Sequence, residues 1–210
     1  MTPRHRRKRL EFAKCHLNYD WKKVLWSDET KMERFGQHRY VWRQNRDAYK
    51  DRHLILTVKY GGGSVMFWGC FNSRGPEALV KIDDIMNSTK YQAILADNLV
   101  ASARRLGLGR MWTFQQDIDP KHTSRSTQKW FCDNKINVLP WPSQSPDLNP
   151  IEILWAELKR AVEKRKPENV KDLERICIEE WSKIPTNVFL NLVKHYRKRP
   201  CCYPCQRWWH

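Results

Sequence analysis

Asp117 and Glu152 are separated by 34 residues, and the segment between them leaves few folds open. Met111 to Gln116 is strand-like and delivers Asp117 at its end. Ser124 to Cys132 has the pattern of a helix, with Trp130 and Phe131 available for packing, and Ile136 to Leu139 that of a short strand. Pro140, Pro142 and Pro146 then force an extended loop, because proline excludes helix for itself and disfavours it for the preceding residue. Asn149-Pro150 opens the next helix, with Asn as cap and Pro at its first position, so Glu152, Trp155 and Lys159 fall on successive turns. Strand, helix, strand, helix is the rhythm of an α/β fold.

The rest of the chain supports that class. Arg6 to about Asp20 reads as a basic helix, and Lys23 to Ser27 as a short strand with Asp28 at its C-terminal end. Arg39 to Arg43, Leu54 to Lys59, Ser64 to Phe71 and Ala78 to Ile82 are further strand candidates; the polar stretch Gln44 to His53 reads as a projecting loop. Ser88 to Leu106 is a helix closed by Gly107, and two amphipathic helices follow near Val170–Lys183 and Thr186–Lys198. The expected organisation is a basic N-terminal helix or linker over 1–22, a main α/β domain over 23–199 with a projecting loop at 44–63, and an atypical tail over 200–210.

Charge points to the partner. Lys and Arg number 39 against 23 Asp and Glu, a net +16, and such an excess draws a protein onto nucleic acid by releasing counterions. Arg4, Arg6, Arg7, Lys8 and Arg9 can form a nuclear import signal, a phosphate-contacting arm or a solvated helix start. No apolar stretch approaches the ~20 residues of a membrane helix. Gly61-Gly62-Gly63 lacks the following Lys-Ser/Thr of a phosphate-binding loop, which argues against nucleotide hydrolysis. Of seven cysteines, Cys15, Cys70, Cys132 and Cys177 read as partly buried thiols. Cys201, Cys202 and Cys205 cluster in the tail without a second pair at zinc spacing, so a zinc-binding adaptor is the weakest reading.

Three carboxylates, Asp28, Asp117 and Glu152, carried on two strand ends and a helix, can hold two divalent metals such as Mg²⁺ or Mn²⁺. Taken singly, each has a plainer use: a turn residue after a strand, or an acid complementing a helix dipole. The neighbouring Asp119 and Asp147 suit capping and turn roles.

The runs Val24-Leu25-Trp26-Ser27-Asp28-Glu29, Trp112-Thr113-Phe114-Gln115-Gln116-Asp117 and Ser145-Pro146-Asp147-Leu148-Asn149-Pro150-Ile151-Glu152 closely resemble the three catalytic segments of Tc-one/mariner transposases. Their order and the 34-residue interval match the Tc-one-type branch. Thr2-Pro3-Arg4-His5-Arg6-Arg7, Tyr60-Gly61-Gly62-Gly63-Ser64-Val65-Met66 and Gly69-Cys70-Phe71 are also similar to that family, so the likeness spans about residues 2 to 195. The resemblance implies an RNase H-like fold, a mixed central sheet flanked by helices, with Asp28, Asp117 and Glu152 as catalytic metal ligands. It implies DNA excision and integration in the nucleus, by hydrolysis and then attack of the released 3′ hydroxyl on target DNA. It also implies a homodimer, with the loop after Arg43 reaching a second subunit, and no small-molecule cofactor. Arg43, Arg46, Lys50 and Arg52 are then candidates to touch DNA or the partner. Lys121 and His122 are candidates to orient phosphate, and His122 can alternatively cap the following helix.

Three departures qualify the likeness. Family members carry helix-turn-helix modules ahead of this region, so a catalytic domain without its DNA reader is expected, with a non-catalytic DNA-binding remnant as the alternative. Ile118 stands where the family usually has Asn. The tail after Tyr196 leaves the family pattern, as a shifted reading frame would produce; the coding DNA decides this, and on that view the cysteine cluster has no function.

Overall fold

The computed structural model describes residues 1–34 and 63–198. The strand candidates at Arg39–Arg43 and Leu54–Lys59, most of the 44–63 loop and the 200–210 tail lie outside these residues.

Strand β1 (Val24–Glu33) is the pivot. Along one edge it pairs antiparallel with β2 (Ser64–Asn72), from Trp26 opposite Phe71 to Glu33 opposite Ser64. Along the other it pairs parallel with the short β4 (Thr113–Gln115). Strand β3 (Gly75–Ile82) lies antiparallel beyond β2, so the order among the described strands is β3-β2-β1-β4. The sheet is mixed because β4 is reached through a crossover helix, α2 (Ser88–Arg105), whereas β2 and β3 are joined by a tight turn.

Alternation along the strands divides the core in two. Val24, Trp26 and Met32 of β1, with Phe67 and Phe71 of β2, face α5 (Ile151–Arg165), α6 (Val170–Lys183) and α7 (Thr186–Lys194). Helix α1 (Pro3–Cys15) adds Phe12 to this side. Leu25, Trp68 and Cys70 face the other way, toward α2 and Phe131 of α4 (Arg125–Asp133). Trp21, Trp26, Trp68, Trp155 and Trp181 are all buried. Burying a side chain of that size contributes on the order of 3 kcal/mol.

Several boundaries differ from the sequence reading. Strand β1 runs five residues past Asp28, because β2 continues to pair with it; Asp28 is a mid-strand residue, although β4 stops at Gln115, opposite Trp26. Ile136–Leu139 pairs through one bridge, Phe114 to Val138. Helix α1 ends at Cys15 and α7 at Lys194, the latter followed by a 3-10 turn over Tyr196–Lys198. A one-turn helix, α3 (Pro120–Thr123), was not legible beforehand. Cys70 and Cys177 are buried, while Cys15 and Cys132 are exposed, against the expectation of burial for all four.

Candidate active site

Asp28, Asp117 and Glu152 line one cavity of about 340 Å³, together with Ile118, Trp141 to Pro146 and Asn149. Asp28 shares the strand face of Val24 and Trp26, which turns it toward α5. Asp117 lies two residues beyond the end of β4, and Glu152 is in the first turn of α5.

Two devices bring the helix to the sheet. Asp28 is paired across the ladder with Gly69, and a Cβ on that glycine would stand 2.6 Å from Cη2 of Trp155. The missing side chain lets α5 settle on β2 at the level of Asp28, with Glu152 one turn before Trp155. Asn149 supplies the second device. Its amide nitrogen donates to the carbonyl of Ser27 at 3.1 Å, tying the approach to α5 to the residue before Asp28. The predicted helix start shifts accordingly: α5 begins at Ile151, Pro150 occupies the cap position, and Asn149 Oδ1 accepts from the Ile151 N–H at 3.4 Å.

The electrostatics of the cavity are one-sided. Burial pushes the Asp28 carboxyl up to about 8, reinforced by the charges of Glu29, Glu152 and Asp117. Burial also raises Glu152, with Lys159 opposing it. Among the described residues lining the cavity, three carry carboxylates and none is Lys or Arg. Such a donor set is poorly held as three anions and suits a hard divalent cation, which takes carboxylate oxygens.

The other face of β1 holds a different cluster. Glu29 points away from Asp28 and accepts at Oε1 from His122 Nε2 at 3.0 Å; His122 Nδ1 meets Asp117 Oδ1 at 2.5 Å. Burial alone would lower the His122 pKa, but its hydrogen bonds to Asp117 and Glu29 prevail and lift it to about 9. Glu29, Asp117 and His122 bring ligand-type atoms within 4.8 Å of one another. With its ring protonated, His122 donates from both nitrogens and joins the two acids as an ion triad; with the ring neutral, one nitrogen has a lone pair and the same three residues can hold a metal ion. The Tyr91 ring packs on His122 with centroids 4.1 Å apart, and its hydroxyl donates to Gln116 Oε1 at 2.6 Å.

The His122 side chain is only 3 % exposed and braces Asp117. Lys121 pairs with Asp119 at 2.9 Å and reaches Glu29 at 3.7 Å. Asp119 caps α3 by accepting from the Lys121 N–H at 3.0 Å, the role expected for it. Asp147 sits in a 3-10 turn and binds Arg9, so Arg9 leaves the basic arm in which the sequence placed it. Ile118 lies half exposed at the cavity wall. Arg43, Arg46, Lys50 and Arg52 lie outside the described residues. Glu29 is not among the candidates the sequence offers; strand alternation, which puts adjacent residues on opposite faces, is the signal that separates it from Asp28.

Residues 23–174 match the family model described as DDE superfamily endonuclease. The chain is 40% identical over 201 residues to the Tcb1 transposase of Caenorhabditis briggsae, covering 93% of this chain and 73% of that protein. It is 38% identical over 204 residues to the Tc1 transposase of Caenorhabditis elegans, covering 95% and 74%. Its fold matches the catalytic domain of Mos1 mariner transposase with a TM-score of 0.75 at 16% identity, over 96% of this chain and 94% of that one. Against Mos1 transposase in a paired-end complex with the left transposon end the TM-score is 0.80 at 16% identity, over 96% of this chain and 62% of that chain. The architecture is thus RNase H-like, and the chain belongs to the DDE superfamily endonucleases, within which it is a catalytic domain of the Tc1-type transposases.

Proposed function

We propose that this protein cuts DNA at transposon ends and joins the freed ends to target DNA, using Asp28, Asp117 and Glu152 to hold Mg²⁺ or Mn²⁺. The observation that carries the reading is the convergence of these three acids, from β1, the end of β4 and α5, on one cavity without a lining Lys or Arg. When bound, a pair of such ions activates the attacking oxygen and stabilises the leaving one. The chain supplies the rest. Asp28 is fixed by a ten-residue strand, Glu152 by the seat of α5 over Gly69, and Asp117 by its bond to His122. Pre-set carboxylates of this kind lose little order when the ions and phosphate arrive.

DNA as substrate is supported by the net charge of +16 and by the likeness to Mos1 transposase, which has been captured with a transposon end. Action as a homodimer in the nucleus belongs to the same reading. Purified protein in Mn²⁺ should nick supercoiled plasmid, and Asp117→Ala should not. Equal nicking by both would remove Asp117 from the site; no nicking by either would favour a non-catalytic DNA-binding remnant.

A further inference from the structure

Arg9 is placed where a basic arm would leave it in solvent, yet its side chain is only 9 % exposed. Its guanidinium donates to both carboxylate oxygens of Asp147, at 2.7 and 2.5 Å, and Nη1 lies 3.4 Å from the carbonyl of Gln144. A planar fork on a carboxylate fixes direction as well as distance. Gln144 has φ of +53°, a left-handed conformation that an L residue keeps only where its surroundings hold it. One turn along α1, Phe12 packs edge-on against Trp141 with centroids 5.3 Å apart. Helix α1 therefore grips the 141–148 segment at both ends, and that segment does two things. Trp141 and Gln144 line the acid cavity, and Asp147 leads within two residues to Asn149, which ties the start of α5 to Ser27.

We propose that Arg9 is a positioning residue for the metal-dependent cleavage: by clamping Asp147 and Gln144 to α1 it fixes one wall of the cavity and the entry of the helix that carries Glu152. The inference rests on the function proposed above, and it reassigns a residue that charge alone would give to phosphate binding. Nothing in it requires Arg9 to touch DNA.

The test uses the whole chain as parent, Arg9→Met, Arg9→Lys and Asp147→Asn, each checked for folding by circular dichroism. Four quantities are read: plasmid nicking rate at saturating DNA in Mn²⁺, DNA half-saturation, Mn²⁺ affinity by electron paramagnetic resonance, and amide exchange over residues 143–149. Arg9→Met should cut the saturated rate by about tenfold to a hundredfold. It should also weaken Mn²⁺ binding and speed exchange over 143–149, with half-saturation within about twofold of the parent. Arg9→Lys, which keeps the charge but not the fork, should recover part of the rate, and Asp147→Asn should resemble Arg9→Met. A rise in half-saturation alone would make Arg9 a phosphate contact and overturn the proposal, as would parent-like rate and exchange in both Arg9→Met and Asp147→Asn. A parent that never nicks refutes the proposed function instead. Exchange and Mn²⁺ affinity then decide the role of Arg9: faster exchange with weaker binding upholds it, and parent-like values overturn it. If Arg9→Met does not fold, Arg9→Lys and Asp147→Asn carry the same comparison.

Discussion

Asp28 and Glu29 are consecutive carboxylates on one strand, and they live in opposite electrostatic worlds. Asp28 faces α5, where burial and its acidic neighbours push its pKa up to about 8. Glu29 faces α3, where it bonds His122 at 3.0 Å and lies 3.7 Å from Lys121. The carboxylate group and the local sequence are shared; what differs is the element packed over each face. One side is left with unbalanced anions and suits a cation from solution, while the other is balanced by the chain's own cations. Asp117 joins the two, since it lines the cavity and also bonds His122.

Removing the open side should have the largest effect. Asp28→Asn is expected to reduce Mn²⁺-dependent nicking by more than about a hundredfold, beyond the range seen when only a ligand's supporting partner is lost. The same variant should stabilise the metal-free protein at high pH. Because the folded pKa of Asp28 is raised to about 8 from the ordinary 3.8, the folded state holds the proton more tightly than the unfolded state. Its contribution is therefore favourable at low pH and is lost as pH rises between those values. Melting curves of the metal-free protein should fall from pH 5 to pH 8 in the parent and less so in Asp28→Asn, and added Mn²⁺ should restore the parent.

On the balanced side a substitution should cost stability, although its pH dependence runs in the same direction. His122→Ala leaves Glu29 without its main bond and is expected to cost about 3 kcal/mol in denaturant unfolding, with nicking down by about ten- to a hundredfold. The raised His122 pKa stabilises the fold fully below about 6.5, a contribution lost as pH climbs through about 9. His122→Ala should thus flatten the pH dependence of stability in that upper window while leaving the Asp28 window in place.

Smaller effects test how the two sides are held apart. Gly69→Ala drives a methyl into Trp155 and should destabilise by about 1–3 kcal/mol, lifting α5 and slowing nicking. Trp155→Phe removes the ring atom that the methyl meets, so the double variant should lose less than the two single losses combined. Ile118→Asn, at the half-exposed cavity wall, should move stability by no more than about 0.5 kcal/mol, and any gain in nicking should be a few-fold at most.

What could be read in advance divides along the same line. The helix over Val170–Lys183 was legible residue for residue, because its apolar period is regular and Asn169 caps it locally. The three acids, which share one cavity, stand out in the sequence because each lies in a dense run resembling a known family. The far end of β1 was not, since Ser27-Asp28-Glu29 breaks the apolar pattern and only pairing with β2 keeps the strand going. Nor were the roles of Glu29 and Arg9, whose partners lie 93 and 138 residues away along the chain.

The sequence by itself determined the α/β order, the family and the residue types at the cavity, because periodicity, turn chemistry and local motifs are short-range properties. Tertiary structure alone decided which carboxylates stay unbalanced and which are neutralised from within. Charge balance depends on what folding brings within a few ångströms, and in this chain β1, α1, α3 and α5 meet only once the sheet and both its faces are built.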